Sequence, residues 1–325
     1  MNLENNISMD TVTSAFLKYN LGDIKGDPEQ IKWDVDLNYK ITTEQGQVYL
    51  LKYIVNPDHI QKFEFLGTLY EYLNSKNIPV PKLCRTRQGN VVEDSFILYG
   101  YIEGSDQRER DDLEVVSLVN NFVKLLLILK EYAVPDFVKY NDDKYIKGYD
   151  FTYCHDVFRP KILQLDMPED IKNSIVETID ILYTKLPDFE KLPKQLVHGD
   201  LNEMNAIFKD GVNVGIIDFG LSYDPMIYDL WEFCYRFALP WKTFEFNMPR
   251  YHLIIETFEK IFPLSSLEKE LLPYMMLRRH MMDTMLALQY YRSHQDTMNV
   301  PLGALTEKIR RSHKIMDVIN GKLRS

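Results

Sequence analysis

Two carboxylates and one amide near the middle of the chain have the spacing that phosphoryl transfer from ATP requires. Asp200 lies in a His-Gly-Asp-Leu segment, Asn205 follows five residues later, and Asp218 begins an Asp-Phe-Gly segment. A carboxylate such as Asp200 can accept the proton of an attacking hydroxyl group, while the side-chain oxygens of Asn205 and Asp218 can hold Mg²⁺ on the phosphates. The pattern therefore predicts a kinase in which Asp200 is the catalytic base.

The strands expected around these residues should bring the three side chains together. Residues 205–209 and 212–217 are predicted to pair as a ribbon, because an Asp-Gly dipeptide between them is a two-residue hairpin signal. The two ends of such a ribbon lie roughly 5 Å apart, so Asn205 and Asp218 should be neighbours with Asp200 close by. A hairpin with polar ends and no metal is the simpler alternative, but the segments on either side of it argue for a site.

Composition and charge exclude several classes of protein. The chain is 45% hydrophobic and 26% charged, with a net charge of −10, and it has no basic stripe that would indicate a nucleic-acid partner. No apolar run approaches the length of a membrane span, and the N-terminus lacks a secretory signal pattern. The three cysteines are too widely spaced for a zinc site or a disulfide scaffold. We expect a cytoplasmic protein of undetermined oligomeric state.

The character of the sequence changes between Gly100 and Gly104. Before this point, β-branched and aromatic runs alternate with a single strong helix, whereas long amphipathic helices dominate after it. A chain of 325 residues is long enough for two lobes. We therefore expect an α+β bilobal fold, with a small antiparallel sheet lobe over residues 1–99, a hinge over 100–104 and a large, mostly helical lobe over 105–325.

The central segment resembles the catalytic core of the aminoglycoside phosphotransferase and choline kinase superfamily, whose members are relatives of protein kinases. The residues that carry the resemblance are LVHGDLNEMNAIFKDGVNVGIIDFG, which fit the pattern His-Gly-Asp-Leu-x-x-x-Asn followed by Ile-Asp-Phe. The resemblance implies a protein-kinase-like fold that uses ATP and Mg²⁺. It assigns Asp200 as catalytic base, Asn205 and Asp218 as magnesium ligands, His198 as a structural support of the loop, and Asp229 as a residue that holds the loop by backbone hydrogen bonds.

The same resemblance implies nucleotide contacts in the sheet lobe. Lys52, on a strand flanked by apolar residues, would lie against the ATP phosphates. Its partner would be Glu64 on the following helix, with Glu71 as the alternative, because residues seven apart lie on nearly the same helix face. The other implied contacts are Asn38, in a glycine-poor loop before the Lys52 strand, and the hinge residues Tyr99, Tyr101 and Ile102, whose backbone would pair with adenine.

Departures from the protein-kinase pattern point to a small-molecule acceptor. The chain has neither a G-x-G-x-x-G loop before the Lys52 strand nor a Walker A motif, and the interval from Asp218 to Asp229 is too short for an activation segment. We expect an O-phosphotransferase acting on an aminoglycoside, an amino alcohol or a similar small molecule. Acidic residues beyond the catalytic loop suit a cationic acceptor, but ordinary surface acids explain them equally well.

Two other functions remain as alternatives at this point. A catalytically silent scaffold that binds nucleotide would keep the same fold, but it would need none of the residues Asp200, Asn205, Asp218 and Lys52. A protein kinase is disfavoured further by the missing activation segment.

Overall fold

The chain divides into two compact units, each built from its own set of secondary-structure elements. The computed structural model describes residues 7–31, 36–106, 109–139, 150–239, 245–293, 302–319 and 321. The first unit comprises residues 1–106 and 205–217, and the second comprises residues 107–204 and 218–325. The first is an antiparallel sheet with helices, and the second is mainly helical.

The first unit is built on a six-stranded antiparallel sheet with the order β1-β2-β3-β6-β4, in which β5 also pairs with β6. In β3, burial alternates along Val48, Tyr49, Leu50 and Leu51, as expected for a strand with two different faces. Lys52 lies opposite Asn38 of β2 and Ile97 of β6. The strands are β1 Glu29–Ile31, β2 Leu37–Thr42, β3 Val48–Tyr53, β4 Leu83–Cys84, β5 Val92–Glu93 and β6 Phe96–Gly100.

Two helices of the first unit cover the sheet. Helix α1 (Met9–Leu17) is capped by Ser8 and buries Val12 and Phe16 in a cluster with Tyr39, Tyr49 and Leu98 of the sheet. Helix α2 (Ile60–Ser75) follows a 3₁₀ turn at Pro57–His59. The rings of Tyr70 in α2 and Tyr99 in β6 meet edge to face with their centroids 5.7 Å apart.

A β-ribbon formed by β8 (Ala206–Lys209) and β9 (Val212–Ile216) also belongs to the first unit. Its turn, Asp210-Gly211, has φ values of 51° and 75°, so the predicted two-residue hairpin is confirmed. From sequence alone, these residues are predicted to belong to the helical lobe. The structure instead attaches them to the first unit, because Ser105 pairs with Phe208 and the N–H of Ile216 donates to the carbonyl of Pro79.

The second unit contains most of the helices and a two-stranded antiparallel pairing between β7 (Lys194–Val197) and β10 (Ser222–Pro225). Its first long helix begins with a capping box in which Asp111 and Glu114 bond each other's backbone N–H groups. The helices are α3 Asp112–Glu131, α4 Asp136–Lys139, α5 Phe151–Tyr153, α6 Arg159–Leu163, α7 Glu169–Phe189, α8 Ile227–Phe237, α9 Met248–Glu259, α10 Ser266–Ser293 and α11 Leu302–Ile319, and a π-helix Cys154–Phe158 links α5 to α6.

Buried aromatic rings hold helix α8 against neighbouring helices of the second unit. Phe122 of α3 stacks on Phe233 of α8 with ring centroids 5.8 Å apart, and it lies 6.3 Å from Phe258 of α9. Full burial of such a side chain stabilises the fold by about 1.5–3 kcal/mol. Gln195 of β7 also donates from its amide to the carbonyl of Leu126 in α3 at 2.9 Å. Strand β7 and helix α8 are therefore both anchored to α3.

Three short strands were not predicted from the sequence. They are β1, β4 and β10, with three, two and four residues, which is too short for an alternating pattern to stand out. All three cysteines are thiols rather than disulfides. Among the residues that the structure describes, no helix has the length and hydropathy needed to span a lipid bilayer.

Candidate active site

The loop that follows β7 is held by one buried carboxylate. Asp229, in the first turn of α8, is completely buried and accepts hydrogen bonds from the backbone N–H of His198 at 2.6 Å and of Gly199 at 2.9 Å. Burial raises the pKa of Asp229 to about 7, although both hydrogen bonds favour its anion. The backbone immediately before Asp200 is therefore fixed to helix α8.

The shape of this loop requires glycine at position 199. Gly199 has a φ of +82°, and a Cβ atom there would lie 3.2 Å from the backbone nitrogen of Leu221. Any other residue would be strained in this left-handed conformation. The neighbouring His198 binds on both sides: its Nδ1 accepts the N–H of Asp200 at 3.2 Å, and its carbonyl accepts the N–H of Leu221 at 2.8 Å.

The carboxylate of Asp200 lies beside a guanidinium group and remains reachable from solvent. Its Oδ1 is 3.7 Å from Nη2 of Arg279, and 38% of its side chain is exposed. Burial raises the pKa of Asp200 to about 6, and the nearby carboxylates of Glu232 and Asp218 act in the same direction. The positive charges of Arg279 and Arg236 oppose this rise. A carboxylate whose basicity is raised by burial and which solvent can still reach is suited to accept a proton.

Charged side chains continue from Asp200 in an alternating series within the second unit. Nε of Arg279 lies 3.1 Å from Oε2 of Glu232, whose side chain is completely buried. The other oxygen of Glu232 binds Nε of Arg236 at 3.0 Å. Arg236 in turn lies 4.0 Å from Glu203 in the catalytic loop. Burying the charge of Glu232 is tolerated because two arginines compensate for it.

The β-ribbon places Asn205 and Asp218 at positions where the chain passes from one unit to the other. The carbonyl of Asn205 accepts the N–H of Ile217 at 2.9 Å, and this pairing closes the ribbon within the first unit. Asp218 is the next residue after Ile217 and belongs to the second unit. Its φ of +58° is uncommon for a residue other than glycine and costs on the order of 1–3 kcal/mol. Strain of this kind is typical of functional positions.

The side chains of Asn205 and Asp218 are each of a chemical type that suits Mg²⁺ carried by a nucleotide. Asn205 offers an amide oxygen and Asp218 a carboxylate, and both are the hard oxygen ligands that Mg²⁺ prefers. Within the described residues, no group of three or more His, Cys, Asp or Glu side chains could hold a metal ion. Two protein ligands are enough for Mg²⁺, because substrate phosphates and water complete its coordination.

Lys52 in the first unit is paired with an aspartate, not with a glutamate of α2. Its Nζ lies 3.7 Å from Oδ2 of Asp36 and 5.1 Å from the centre of the Phe63 ring. The alternative partner, Glu71, is engaged elsewhere, since it forms a two-pronged ion pair with Arg85 at 2.6 and 2.7 Å. The predicted partner Glu64 is exposed, and the described residues include no ion pair to it.

The other predicted nucleotide contacts lie on or after strands of the first unit. Asn38 is partly buried, and its Oδ1 has no hydrogen-bond partner among the described residues. Tyr99 is buried in β6, whereas Tyr101 is 36% exposed and its ring lies 5.0 Å from Nζ of Lys40. Ile102 packs near Gly215 of the ribbon, where an added Cβ would come within 2.9 Å of its Cδ1.

Sequence reasoning did not indicate the neighbours of Asp200 and Lys52. Arg279 lies far along the chain on α10, and no motif ties it to Asp200. Asp36 stands just before the predicted Asn38 position, but a single aspartate before a strand carries no signal for an ion pair with Lys52. Both contacts depend on how separate segments pack.

Comparison with known proteins extends over nearly the whole chain. A model of the phosphotransferase enzyme family matches residues 28–246, a range that includes Lys52, Asp200, Asn205 and Asp218. A curated relative, homoserine kinase of Rhodospirillum rubrum, is 25% identical over 310 residues, which cover 92% of this chain and 89% of that protein.

Solved structures of small-molecule kinases share the fold. The amicoumacin kinase hAmiN in complex with AMP-PNP and Ca²⁺ has a TM-score of 0.67 at 17% identity, over 97% of this chain and 94% of that one. Spectinomycin phosphotransferase APH(9)-Ia in complex with ADP has a TM-score of 0.69 at 16% identity, over 96% of this chain and 99% of that one. A microcompartment-associated aminopropanol kinase has a TM-score of 0.65 at 13% identity, over 96% of this chain and 97% of that one. These similarities confirm the predicted α+β kinase-like fold.

Proposed function

Because this chain belongs to the phosphotransferase enzyme family, we propose that it transfers the γ-phosphoryl group of ATP to a hydroxyl group of a small molecule, with Mg²⁺ as the metal ion. Family membership makes the protein a phosphotransferase that acts on hydroxyl groups of small molecules. The observation that carries the proposal is the reachable carboxylate of Asp200 on a loop whose backbone is clamped by Asp229.

Asp200 is the catalytic base in this proposal. It orients the acceptor hydroxyl and accepts its proton as the bond to phosphorus forms, while ADP leaves with the electron pair of the broken bond. Positioning is the main task, since a hydroxyl held in line with the γ-phosphate gains a large effective concentration. The clamped loop supports this role, because the N–H groups of His198 and Gly199 fix the backbone that carries Asp200. His198 and Asp229 are thus structural supports.

Asn205 and Asp218 are the proposed ligands of Mg²⁺. When bound, the ion neutralises negative charge on the phosphate oxygens and orients them. The oxygen-rich donor pair and the left-handed conformation of Asp218 support the assignment.

ATP is the proposed phosphoryl donor because structural relatives were solved with AMP-PNP or ADP. Lys52 is proposed to bind the phosphates, since its ammonium group is held by one ion pair of 3.7 Å that a phosphate oxygen could replace. Asn38, which lies opposite Lys52 in the sheet, is proposed to contact the nucleotide. Glu64 stays the proposed partner of Lys52 in the nucleotide complex, and the backbone of Tyr99, Tyr101 and Ile102 is proposed to contact adenine.

The acceptor is proposed to be an amino alcohol, an amino acid with a hydroxyl group or an aminoglycoside. Relatives of this chain are a homoserine kinase, an aminopropanol kinase and a spectinomycin phosphotransferase, and all three names denote acceptors that carry both an amine and a hydroxyl group. The carboxylate of Glu203 supports a cationic acceptor, because it lies three residues after Asp200 and its one ion pair among the described residues, with Arg236, is long at 4.0 Å.

A single assay tests this function. Purified protein is incubated with Mg²⁺-ATP and homoserine, 1-amino-2-propanol, ethanolamine, choline, spectinomycin or hygromycin B, and ADP release is measured beside Asp200→Asn. We expect at least one acceptor to raise the rate of ADP release above the rate measured without an added acceptor, when water is the only acceptor. The substitution should lower kcat by about 10²–10⁴-fold, as expected for loss of a general base, while nucleotide binding persists. Equal rates for the wild type and the variant would refute the role of Asp200.

A further inference from the structure

The guanidinium group of Arg279 is the centre of a contact set that links α10 to the catalytic loop. It lies 3.7 Å from Asp200 through Nη2 and 3.1 Å from Glu232 through Nε, and Nη1 donates to the hydroxyl of Tyr228 at 3.4 Å. Only 9% of the side chain is exposed. Because the guanidinium is planar and its donors point in fixed directions, three contacts through three different nitrogens define its orientation.

We propose that Arg279 is a positioning residue for the catalytic carboxylate of Asp200, held in its own place by Glu232 and Tyr228. This inference rests on the function proposed above, in which Asp200 is the base. It adds to that reaction a residue from helix α10, which lies outside the motif segments.

Helix α8 supports the base in two separate ways. Asp229, in its first turn, holds the backbone on the N-terminal side of Asp200. Glu232, three residues further along the same helix, holds Arg279, which faces the side chain of Asp200. One helix therefore sets both the position of the loop and the direction of its carboxylate.

The buried state of Glu232 favours a positioning role over a chance contact. Its side chain is completely buried, and its two oxygens lie 3.1 Å from Arg279 and 3.0 Å from Arg236. A buried ion pair gives little net stability compared with apolar residues of the same size. An internal carboxylate between two arginines is therefore better explained by what it orients than by what it stabilises.

The distance between Arg279 and Asp200 suits a base that must stay able to react. A separation of 3.7 Å exceeds a normal hydrogen bond, so the guanidinium attracts the carboxylate without binding it tightly. The attraction restrains rotation of the carboxylate and favours its anionic form, which is the form that accepts a proton. A hydrogen bond of ordinary length would compete with the acceptor hydroxyl.

The experiment compares kcat and KM for ATP among variants of the full chain, using ADP release with the best acceptor of the panel and with water. Arg279→Met should lower kcat by about 10²-fold, the loss expected when a catalytic group is misplaced by about 1 Å, with KM for ATP changed less than about threefold. Arg279→Lys should recover part of this loss because it keeps the charge. The proposal would be overturned if Arg279→Met kept the wild-type kcat. It would also be overturned if this substitution changed only the KM for ATP.

A double-substitution cycle tests whether Glu232 acts through Arg279. Glu232→Gln should lower kcat by about tenfold, and adding it to Arg279→Met should cause little further loss, since both changes remove the same restraint. Fully additive losses would show that Glu232 acts independently and would overturn that part of the proposal. If Arg279→Met fails to fold, Arg279→Lys and Glu232→Gln carry the test.

Arg278 provides the matched control. It is the neighbouring residue on α10, its side chain is 10% exposed, and it forms a buried ion pair of 2.8 Å with Asp224 instead of Asp200. Arg278→Met should lower Tm about as much as Arg279→Met but change kcat less than about threefold. Equal losses of kcat in both variants would reduce Arg279 to a structural role. A wild-type protein without any Mg²⁺-ATP turnover would overturn the proposed function itself, which is a different outcome from active protein with an inert Arg279.

Discussion

The catalytic loop and the strand that carries Lys52 are held in very different ways. The loop is fixed by two short backbone hydrogen bonds to the buried Asp229, and its base is flanked by Arg279. Lys52, in contrast, has one ion pair of 3.7 Å with Asp36. We therefore expect the carboxylate of Asp200 to be in place before substrates bind, whereas Lys52 should exchange one anionic partner for another. Substitutions around the loop should lower kcat, and those around Lys52 should act on the use of ATP.

The largest effect is expected at the end of the ribbon. Asp218→Ala should reduce Mg²⁺-dependent ADP release by about 10³-fold or more, because the metal loses its anionic protein ligand. Asp210→Asn, at the exposed ribbon turn, is the control and should leave the rate unchanged. Recovery of the wild-type rate in Asp218→Ala at high Mg²⁺ would contradict the assignment of Asp218 as a ligand.

Loss of the loop clamp should come next in size. Asp229→Ala removes the acceptor of two backbone hydrogen bonds and should lower kcat by about 10–10²-fold. It should also reduce the free energy of unfolding by about 3–6 kcal/mol, because each of the two hydrogen bonds to a carboxylate contributes about 1.5–3 kcal/mol. Urea unfolding and steady-state kinetics would measure both effects. A variant with normal kcat would show that the loop keeps its shape without Asp229.

The stability contributed by Asp229 should depend on pH in a defined direction. Its pKa is raised to about 7 in the folded protein from an ordinary value of 3.8, so between about pH 4 and pH 7 the folded state binds more protons than the unfolded state. The free energy of unfolding should therefore fall as the pH rises through this window. In Asp229→Asn this component is absent, so the stability difference between wild type and variant should be larger at pH 5 than at pH 8. The opposite trend in urea unfolding would contradict the raised pKa.

A smaller effect is expected at Lys52. Lys52→Met should lower kcat/KM for ATP by about 10–10²-fold, which corresponds to the loss of a hydrogen bond from a charged donor, worth about 1.5–3 kcal/mol. Asp36→Asn is the informative partner variant, since Asp36 is the only ion-pair partner of Lys52 in the described part of the chain. If Asp36 only holds Lys52 until ATP binds, Asp36→Asn should have a kcat/KM for ATP within about threefold of the wild-type value. A loss as large as that of Lys52→Met would show that Asp36 has a direct role.

The smallest effect is expected at Glu71. Its ion pair with Arg85 is between two exposed side chains, so Glu71→Gln should change the free energy of unfolding by less than about 1 kcal/mol and leave kcat/KM for ATP unchanged. Glu64, seven residues before Glu71 on α2, is the proposed partner of Lys52, so Glu64→Gln is the matched variant. A drop in kcat/KM for ATP with Glu71→Gln but not with Glu64→Gln would favour the alternative pairing instead.

The motif segments illustrate what can be read from contiguous residues. The pairing of β8 with β9 was predictable because Asp210-Gly211 is a local turn signal. The two strands directly precede and follow this turn in the sequence. The capping box of α3 is local in the same way, because Asp111 and Glu114 are three residues apart. In each case, the residues that interact belong to one short stretch of sequence, so few alternative arrangements exist.

The amino-acid sequence by itself determined the family, the α+β class and the hairpin that runs from Asn205 to Ile217. Only the tertiary structure decided that Arg279 faces Asp200, that Asp36 pairs with Lys52, and that the ribbon joins the first unit. The physical reason is that hydrogen-bonding periodicity and turn chemistry act between near neighbours, whereas ion pairs between distant segments depend on how whole helices and strands pack. Many carboxylates could meet a given lysine or arginine, and no pattern of spacing selects among them.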